Sequence, residues 1–345
     1  MHILAQIDHT LNGMNLREVH NRWRALWHPE RFHGWGRKKR YFEGWYYKIV
    51  SADQSHALAI IPGISLDEHG AGHAFIQVMD GTRGTAHYHR FELSEFQPTA
   101  DRFALRLGEN FFAADHLQVQ VPGLSADLRI AQITSWPKSF GAPGVMGWYS
   151  FVPFMECYHG IISMDHVLNG QANLQGQDIP MTGARGYLEK DWGTSFPACW
   201  VWLQTNHFQD ADHPVSLFVS VARIPWLGQF FVGYLAGFLW NGHLHRFTSY
   251  LPGQMRAVRK GDRVILGFRN RHHVLEVEAK QAPGVSLQAP IQGNMVGKVS
   301  ESLTAETKVR FSRRGGPVYF EGTGRHAGLE VAGETEVLWT EDWRS

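Results

Sequence analysis

The chain has 345 residues, enough for about two domains and a large hydrophobic core. It carries 33 basic and 32 acidic residues, and this near balance argues against a nucleic-acid-binding protein. Two cysteines, Cys157 and Cys199, cannot form a disulfide framework in a chain of this length. Residues 1–8 (MHILAQID) have neither the basic flank nor the apolar run of a signal peptide, so we expect a cytoplasmic protein.

In chain order, one helix precedes a long series of strands. Residues 15–26 predict a short helical N-terminal arm. Segments rich in β-branched and aromatic residues, bounded by Gly, Pro, Asp or Asn, then predict strands. Before a Pro- and Gly-rich patch at 136–153, these strands cover 42–50, 56–61, 73–79, 86–93, 103–107 and 117–121. After it, they cover 160–168, 199–208, 216–224, 230–240, 244–250, 263–268, 274–279, 306–311 and 318–322.

This pattern predicts an all-β protein with antiparallel sheets, because no helices alternate with the strands as they would in a parallel α/β sheet. Two β units of similar length meet near residue 185. Closed or nearly closed barrels would protect the edges of so many strands and would supply cavities. The predicted organisation is an N-terminal arm over 1–34, a first β-barrel domain over 35–185 and a second over 186–345.

Two segments bear on membrane contact. The run Arg37-Lys38-Lys39-Arg40 fits a solvated turn, with a docking patch for an anionic membrane surface as the alternative. The stretch 224–245 is uncharged except at its histidines, but glycines and a proline interrupt it. It fits a buried strand pair or an apolar lip around a pocket better than a membrane span. Peripheral contact with the inner membrane stays open.

Residues 186–193 (GYLEKDWG) carry the clearest chemical signal. In a strand, Tyr187, Glu189 and Asp191 point to one face, and the intervening residues point to the other. Two carboxylates on one dry face cannot both ionise easily, so one would become a neutral acid and a proton donor. The alternative is a solvated strand end in which Glu189 pairs with a cation.

The next strand offers a binding surface. Trp200, Trp202, Gln204 and Asn206 alternate with other residues and therefore share a face. Two flat rings followed by two neutral amides suit a ligand with a long apolar part and a polar head. In the alternative reading, the two tryptophans belong to the core and the amides cap a turn.

Two further positions are candidate proton acceptors. Glu43 shares a face with the aromatic residues Trp45 and Tyr47 in the strand over 42–48, which is unusual for a solvated face. His159 lies shortly before the 186–193 segment, and an unperturbed histidine titrates near neutral pH.

Other chemistries lack their motifs. The sequence contains no serine-hydrolase elbow, phosphate-binding loop, zinc-protease motif or Cys-x-x-Cys pair. The histidine pairs His87/His89 and His243/His245 have strand spacing and could chelate a metal, but no third ligand accompanies either pair. We predict no metal site.

Several long motifs resemble one family. Residues 29–36 (PERFHGWG), 40–48 (RYFEGWYYK), 186–193 and 200–206 (WVWLQTN) are similar to segments of the tocopherol cyclase family, in the same order. The resemblance extends to residues 324–331 (GRHAGLEV). The 186–193 element also resembles the wider group of tandem lipocalin-like proteins that includes carotenoid hydratases. The resemblance implies two lipocalin-like β-barrels in one chain, acting on isoprenoid substrates without an organic cofactor.

The resemblance also implies an activity, that of an isomerase of the intramolecular lyase type. Such an enzyme protonates the side-chain alkene of a prenylated quinol, and the phenol oxygen captures the cation to form a chromanol-type ring. The implied acid is Glu189, with Tyr187 as its hydrogen-bonding neighbour and Asp191 as a tuning group, although plant enzymes carry Asn at the Asp191 position. His159 or Glu43 would receive the phenolic proton. The expected substrate-binding set is Glu43, Trp45, Trp192, Trp200, Trp202, Gln204 and Asn206.

Two other functions stay open. A carotenoid or isoprenoid hydratase would share the acid but would let water capture the cation. A non-catalytic lipid carrier would share the barrels and the aromatic walls without a buried acid. In each case the expected partner is an apolar small molecule, an isoprenoid or a prenylated aromatic compound, and not a nucleic acid. The sequence does not predict an oligomeric state.

Overall fold

The computed structural model describes residues 16–209 and 211–344, and nearly all of this part is β structure. The predicted N-terminal helix is present as α1 (Leu16–Ala25). The all-β class is therefore confirmed. Within the described residues, no helix has the length and apolar character needed to cross a membrane.

Two antiparallel sheets of twelve strands each make up the fold. The first contains β1 (Tyr41–Val50), β2 (Ala57–Leu66), β3 (Gly72–Asp80), β4 (Thr85–Phe91), β5 (Phe96–Pro98), β6 (Ala104–Leu107), β7 (Asn110–Ala113), β8 (His116–Val121), β9 (Leu124–Thr134), β10 (Cys157–Leu174), β11 (Gln177–Pro180) and β12 (Ala184–Gly193). The second contains β13 (Cys199–Thr205), β14 (His207–Phe208), β15 (Ser216–Trp226), β16 (Gln229–Trp240), β17 (His243–Thr248), β18 (Gly253–Lys260), β19 (Arg263–Asn270), β20 (His273–Lys280), β21 (Val285–Ile291), β22 (Asn294–Arg313), β23 (Val318–Gly333) and β24 (Thr340–Arg344).

In both sheets, the last long strand returns to pair between two earlier strands. In the first, β12 returns to lie between β1 and β10, and β4 and β5 form the two ends of the sheet. In the second, β23 lies in the same way between β13 and β22. Each sheet curls into a nearly closed, lipocalin-like barrel, so the chain is a tandem of two such barrels. Residues 185 and 186, where we expected the domain boundary, both lie in β12 of the first sheet, and the second sheet begins at Cys199.

Three apolar clusters hold the molecule together. One fills the first barrel and includes Trp45 and Leu188, and another fills the second barrel and includes Leu203 and Phe268. The third lies between the barrels, where buried side chains such as Tyr46 and Phe218 come from the outer faces of the two sheets and Trp136 comes from the connection between β9 and β10. Alternation along each strand explains this arrangement, because every strand at the contact has one face in a barrel interior and the other in the interface.

Candidate active site between the barrels

A cavity of about 160 Å³ lies in the interface between the two barrels. Six aromatic side chains contribute to its walls, and four carboxyl groups face it. The aromatic set is Phe42, Tyr46, Phe75, Phe196, Trp200 and Trp202. The acidic set is Glu189, Asp191, Glu301 and Glu330. Buried acids within an aromatic wall are the combination that proton transfer to an apolar substrate needs.

Strand β12 supplies one side of the acidic set. Its register with β1 and β10 directs Tyr187 and Glu189 into the interface, while Leu188 and Trp192 belong to the cluster inside the first barrel. The phenol of Tyr187 is buried beside Glu189, and Asp191 faces the cavity. The strand alternation predicted for this segment is therefore what the structure has.

Glu189 is surrounded by hydrogen-bond donors. Its Oε2 atom accepts a hydrogen bond from the Tyr187 hydroxyl at 2.5 Å and another from the Trp202 indole N–H at 3.1 Å. His159 Nε2 lies 3.3 Å from the same oxygen. The Tyr187 and Trp202 hydrogen bonds and the His159 nitrogen therefore all meet one oxygen of Glu189.

His159 bridges the two acids of β12. Its Nδ1 is 2.7 Å from Asp191 Oδ1, and its ring stacks on Phe218 with 5.2 Å between the ring centroids. Burial by itself lowers the pKa of His159, but the charges of Asp191 and Glu189 outweigh it and raise this pKa to about 10. The imidazole is thus a cation at neutral pH and has no free nitrogen to accept a phenolic proton.

His159, Glu189 and Asp191 also have the residue types of a metal site. One ligand atom from each lies within 4.8 Å of the others. Both imidazole nitrogens already face carboxylate oxygens, so a metal ion would have to displace a proton from this bridge. The histidine pairs noted in the sequence lie elsewhere: His87 and His89 face each other on β4 with 6.4 Å between ring centroids.

The second barrel adds two acids that the sequence analysis missed. Glu301 on β22 and Glu330 on β23 are directly paired across the strands, and both line the cavity. The Tyr46 hydroxyl donates to Glu301 Oε1, and the Trp200 indole N–H donates to Glu330 Oε2 at 2.5 Å. Glu301 lies in β22 where the alternation of buried and exposed residues is interrupted, because Glu301, Ser302 and Leu303 are all buried. Glu330 was visible as a single acid in the apolar run 327–332 (AGLEVA), which is the one signal that could have indicated it.

Three expected substrate-binding residues lie on the other face of the first sheet. Glu43, Trp45 and Trp192 point into the first barrel and do not line the cavity. There Glu43 forms a buried ion pair with Lys190, 2.5 Å between Oε1 and Nζ. Glu43 therefore cannot receive a proton from a substrate in the cavity. On β1 the face toward the cavity consists of Phe42, Gly44 and Tyr46, which alternate with Glu43 and Trp45.

The two amides of the 200–206 segment also have structural partners. Gln204 is fully buried, and its Oε1 accepts a hydrogen bond from Lys48 Nζ at 2.9 Å. Asn206 Nδ2 donates to Asp165 Oδ1 at 2.8 Å and to the Gly186 carbonyl at 2.9 Å. Both join the second barrel to the first and neither lines the cavity, whereas Trp200 and Trp202 line it.

Comparison with known proteins assigns the chain to a family. A family model described as tocopherol cyclase-like matches residues 116–333, which is more than half of the chain. The chain therefore belongs to the tocopherol cyclase-like family. It is 26% identical over 221 residues to a probable chloroplastic tocopherol cyclase of Oryza sativa subsp. japonica, covering 61% of this chain and 45% of that protein. A chloroplastic tocopherol cyclase of Zea mays is 26% identical over 207 residues, covering 57% and 43%. The chain thus spans less than half the length of these curated relatives.

Solved structures show the same fold. The crystal structure of CghA with Sch210972 superposes with a TM-score of 0.51, covering 85% of this chain and 88% of that chain. The two sequences are 14% identical over the alignment, so the likeness concerns the fold alone.

Proposed function

We propose that the protein is an acid-initiated cyclase for a prenylated quinol or a related isoprenoid, and that the reaction takes place in the cavity between the barrels. The observation that carries this proposal is the convergence of buried carboxyl groups, among them Glu189, on one aromatic-walled cavity. Membership of the tocopherol cyclase-like family supports the choice of substrate class.

The chemistry requires one proton to enter and one to leave. A carboxylic acid gives its proton to the side-chain alkene, and a tertiary cation forms on the neighbouring carbon. The phenol oxygen then bonds to this carbon and loses its proton to a carboxylate. The product is an isomer of the substrate, so the step consumes neither water nor a redox partner.

The cavity walls suit the cationic intermediate. Trp200, Trp202 and Phe196 present ring faces and edges to the cavity, and a cation over such a ring gains about 0.5 to 2 kcal/mol. The same walls limit access of water, which would otherwise capture the cation.

The test is Glu189→Gln, which preserves the shape of the side chain and removes its acid–base function. We expect turnover of a prenylated quinol to fall by roughly 100-fold or more, because this is the usual size of general acid–base catalysis. The matched control is Glu321→Gln on the second barrel, since Glu321 is 73% exposed and does not line the cavity, although it lies on the same strand as Glu330. Turnover by the Glu189 variant within about tenfold of the wild type would refute the proposed role.

Two results would point to other functions. Incorporation of labelled solvent oxygen into the product would identify a hydratase, because water rather than the phenol would then have captured the cation. Binding of the prenylated quinol without turnover by the wild type would identify a carrier.

A further inference from the structure

The carboxyl groups of the cavity fall into two sets with different surroundings. Glu189 and Asp191 share the imidazole of His159, so the first set contains a cation. Glu301 and Glu330 form the second set, here called the cross-strand acid pair, because they are direct partners in the register of β22 and β23.

The cross-strand acid pair has hydrogen-bond donors but no ion-pair partner in the part of the chain that the structure describes. Glu301 is 1% exposed and accepts a hydrogen bond from Tyr46. Glu330 accepts one from Trp200. Glu301 is buried and Glu330 is half-buried, and two adjacent carboxyls in such a wall without a paired cation cannot both lose their protons without a large desolvation and repulsion cost.

Burial and the charges around the pair raise the pKa values of both carboxyl groups, which favours a proton on the pair. Burial raises the pKa of Glu301 to about 8, and the charge of Glu189 adds to the rise, whereas the Tyr46 hydrogen bond and Lys48 oppose it. Burial and the charge of Glu301 raise the pKa of Glu330 well above its usual value, against the Trp200 hydrogen bond. Burial also lowers the pKa of Lys48 to about 7, so this amine offers the pair little positive charge above neutral pH.

The two barrels place these acids symmetrically. Glu189 on β12 pairs with Tyr46 on β1, and Glu330 on β23 pairs with Trp202 on β13. Because β12 and β23 hold the same position in their sheets, Glu189 and Glu330 lie on corresponding strands of the two barrels, and both line the cavity.

We propose that the cross-strand acid pair Glu301–Glu330 is the proton donor of the cyclisation, and that Glu189 is the proton acceptor. This inference rests on the proposed function for its substrate and on the geometry for the position of the proton. The donor's O–H bond breaks as a C–H bond forms on the alkene, leaving one negative charge on the pair. When the phenol oxygen bonds to the cation, its O–H bond breaks and the Glu189 carboxylate takes the proton. Transfer of one proton from Glu189 back to the pair restores the starting state.

The test measures the proton directly, without a substrate. Infrared spectra of the full chain at about pH 6 contain the C=O band of each protonated carboxyl, and difference spectra between wild type and variant isolate the band of the replaced residue. We expect the double variant Glu301→Gln/Glu330→Gln to lose a protonated-carboxyl band that Glu189→Gln keeps. Raising the pH should remove this band from the wild type with a midpoint near 8, because the folded protein holds the Glu301 proton up to that value.

The infrared spectra can either support or overturn the assignment of the proton to the cross-strand acid pair. Loss of the band in Glu189→Gln and its retention in the double variant would overturn it, as would a wild type with no band assignable to the pair. If the double variant does not fold by circular dichroism, the single variants Glu301→Gln and Glu330→Gln serve the same purpose, because each must reduce the band.

A turnover assay then separates this inference from the proposed function. If wild type carries the proton on the pair but does not convert a prenylated quinol, the proposed function fails while the location of the proton stands. If wild type is active and the double variant keeps turnover within about tenfold, the pair is not the donor.

Discussion

At the scale of the residue, the first barrel contains a buried ion pair, one member of which, Glu43, was predicted from the sequence to belong to the active site. Lys190 Nζ lies 4.4 Å from the centroid of the Trp192 ring and 5.0 Å from that of Trp45, and it pairs with Glu43. Glu43 also accepts hydrogen bonds from the backbone N–H groups of His33 and Gly34. Glu43 and Lys190 therefore form a structural ion pair. Through the hydrogen bonds to Glu43, this pair fixes the segment before β1 to the inside of the first barrel.

Breaking this ion pair should destabilise the protein strongly. We expect Lys190→Met to lower the free energy of unfolding by about 3 to 5 kcal/mol, because it leaves Glu43 buried and charged without its partner. The double variant Glu43→Gln/Lys190→Met should cost less than Lys190→Met alone, since no uncompensated charge remains. Chemical denaturation followed by circular dichroism measures both.

The control for this prediction is an exposed ion pair. Glu276 lies 3.2 Å from Arg310 on the outside of the second barrel, and both side chains are partly exposed. We expect Glu276→Gln to change the free energy of unfolding by less than about 1 kcal/mol. Equal losses in Lys190→Met and Glu276→Gln would contradict the structural role given to Lys190.

At the scale of the element, side-chain alternation decides which residues reach the cavity. The alternation within β12 and within β13 could be predicted from the sequence, because it follows from the two-residue repeat of a strand. Which face of β1 meets the interface could not, since both faces carry large aromatic residues. For the same reason Trp45 was predicted in the site, where the structure places Tyr46. Strands β9, β18 and β21 were missed as elements, and the last of these brings Leu287 and Pro290 to the cavity.

Packing between β13 and β23 sets the position of one cavity wall. Gly328 on β23 lies under Trp202, and a Cβ atom at this position would come within 2.5 Å of the Trp202 ring. We expect Gly328→Ala to push this ring toward the cavity and to weaken binding of a prenylated quinol by about tenfold or more, about 1.4 kcal/mol. Titration with the ligand, followed by tryptophan fluorescence, measures the change.

The matched control is Gly141→Ala. A Cβ atom there meets nothing within 4 Å and Gly141 does not line the cavity, so ligand affinity should stay unchanged. Unchanged affinity in Gly328→Ala would show that the Trp202 wall does not limit the ligand.

At the scale of the whole molecule, the cavity exists only because the two barrels pack against each other. Asn206 joins them by donating to Asp165 and to the Gly186 carbonyl, and Lys48 reaches across to Gln204. The interface also buries Trp136 and Phe218. Shared buried contacts of this kind couple the unfolding of the two barrels.

We therefore expect one cooperative unfolding transition, with coincident curves from far-ultraviolet circular dichroism and tryptophan fluorescence. Asn206→Ala should lower the free energy of unfolding by about 1 to 3 kcal/mol, because two buried acceptors lose their donor. Gln118→Ala, on the exposed face of β8, should change it by less than about 0.5 kcal/mol. Two separate transitions in the wild type would show that the barrels unfold independently.

The sequence by itself determined the all-β class, the N-terminal helix, the alternation of the 186–193 segment and the likeness to tocopherol cyclases. These properties depend on local periodicity and on continuous motifs, which a single chain displays directly. Only the tertiary structure decided that Glu43 and Lys190 neutralise each other inside a barrel, and that Glu301 and Glu330 meet Glu189 across an interface. Contacts between residues more than a hundred positions apart depend on how two curved sheets pack, and strand periodicity carries no information about that packing.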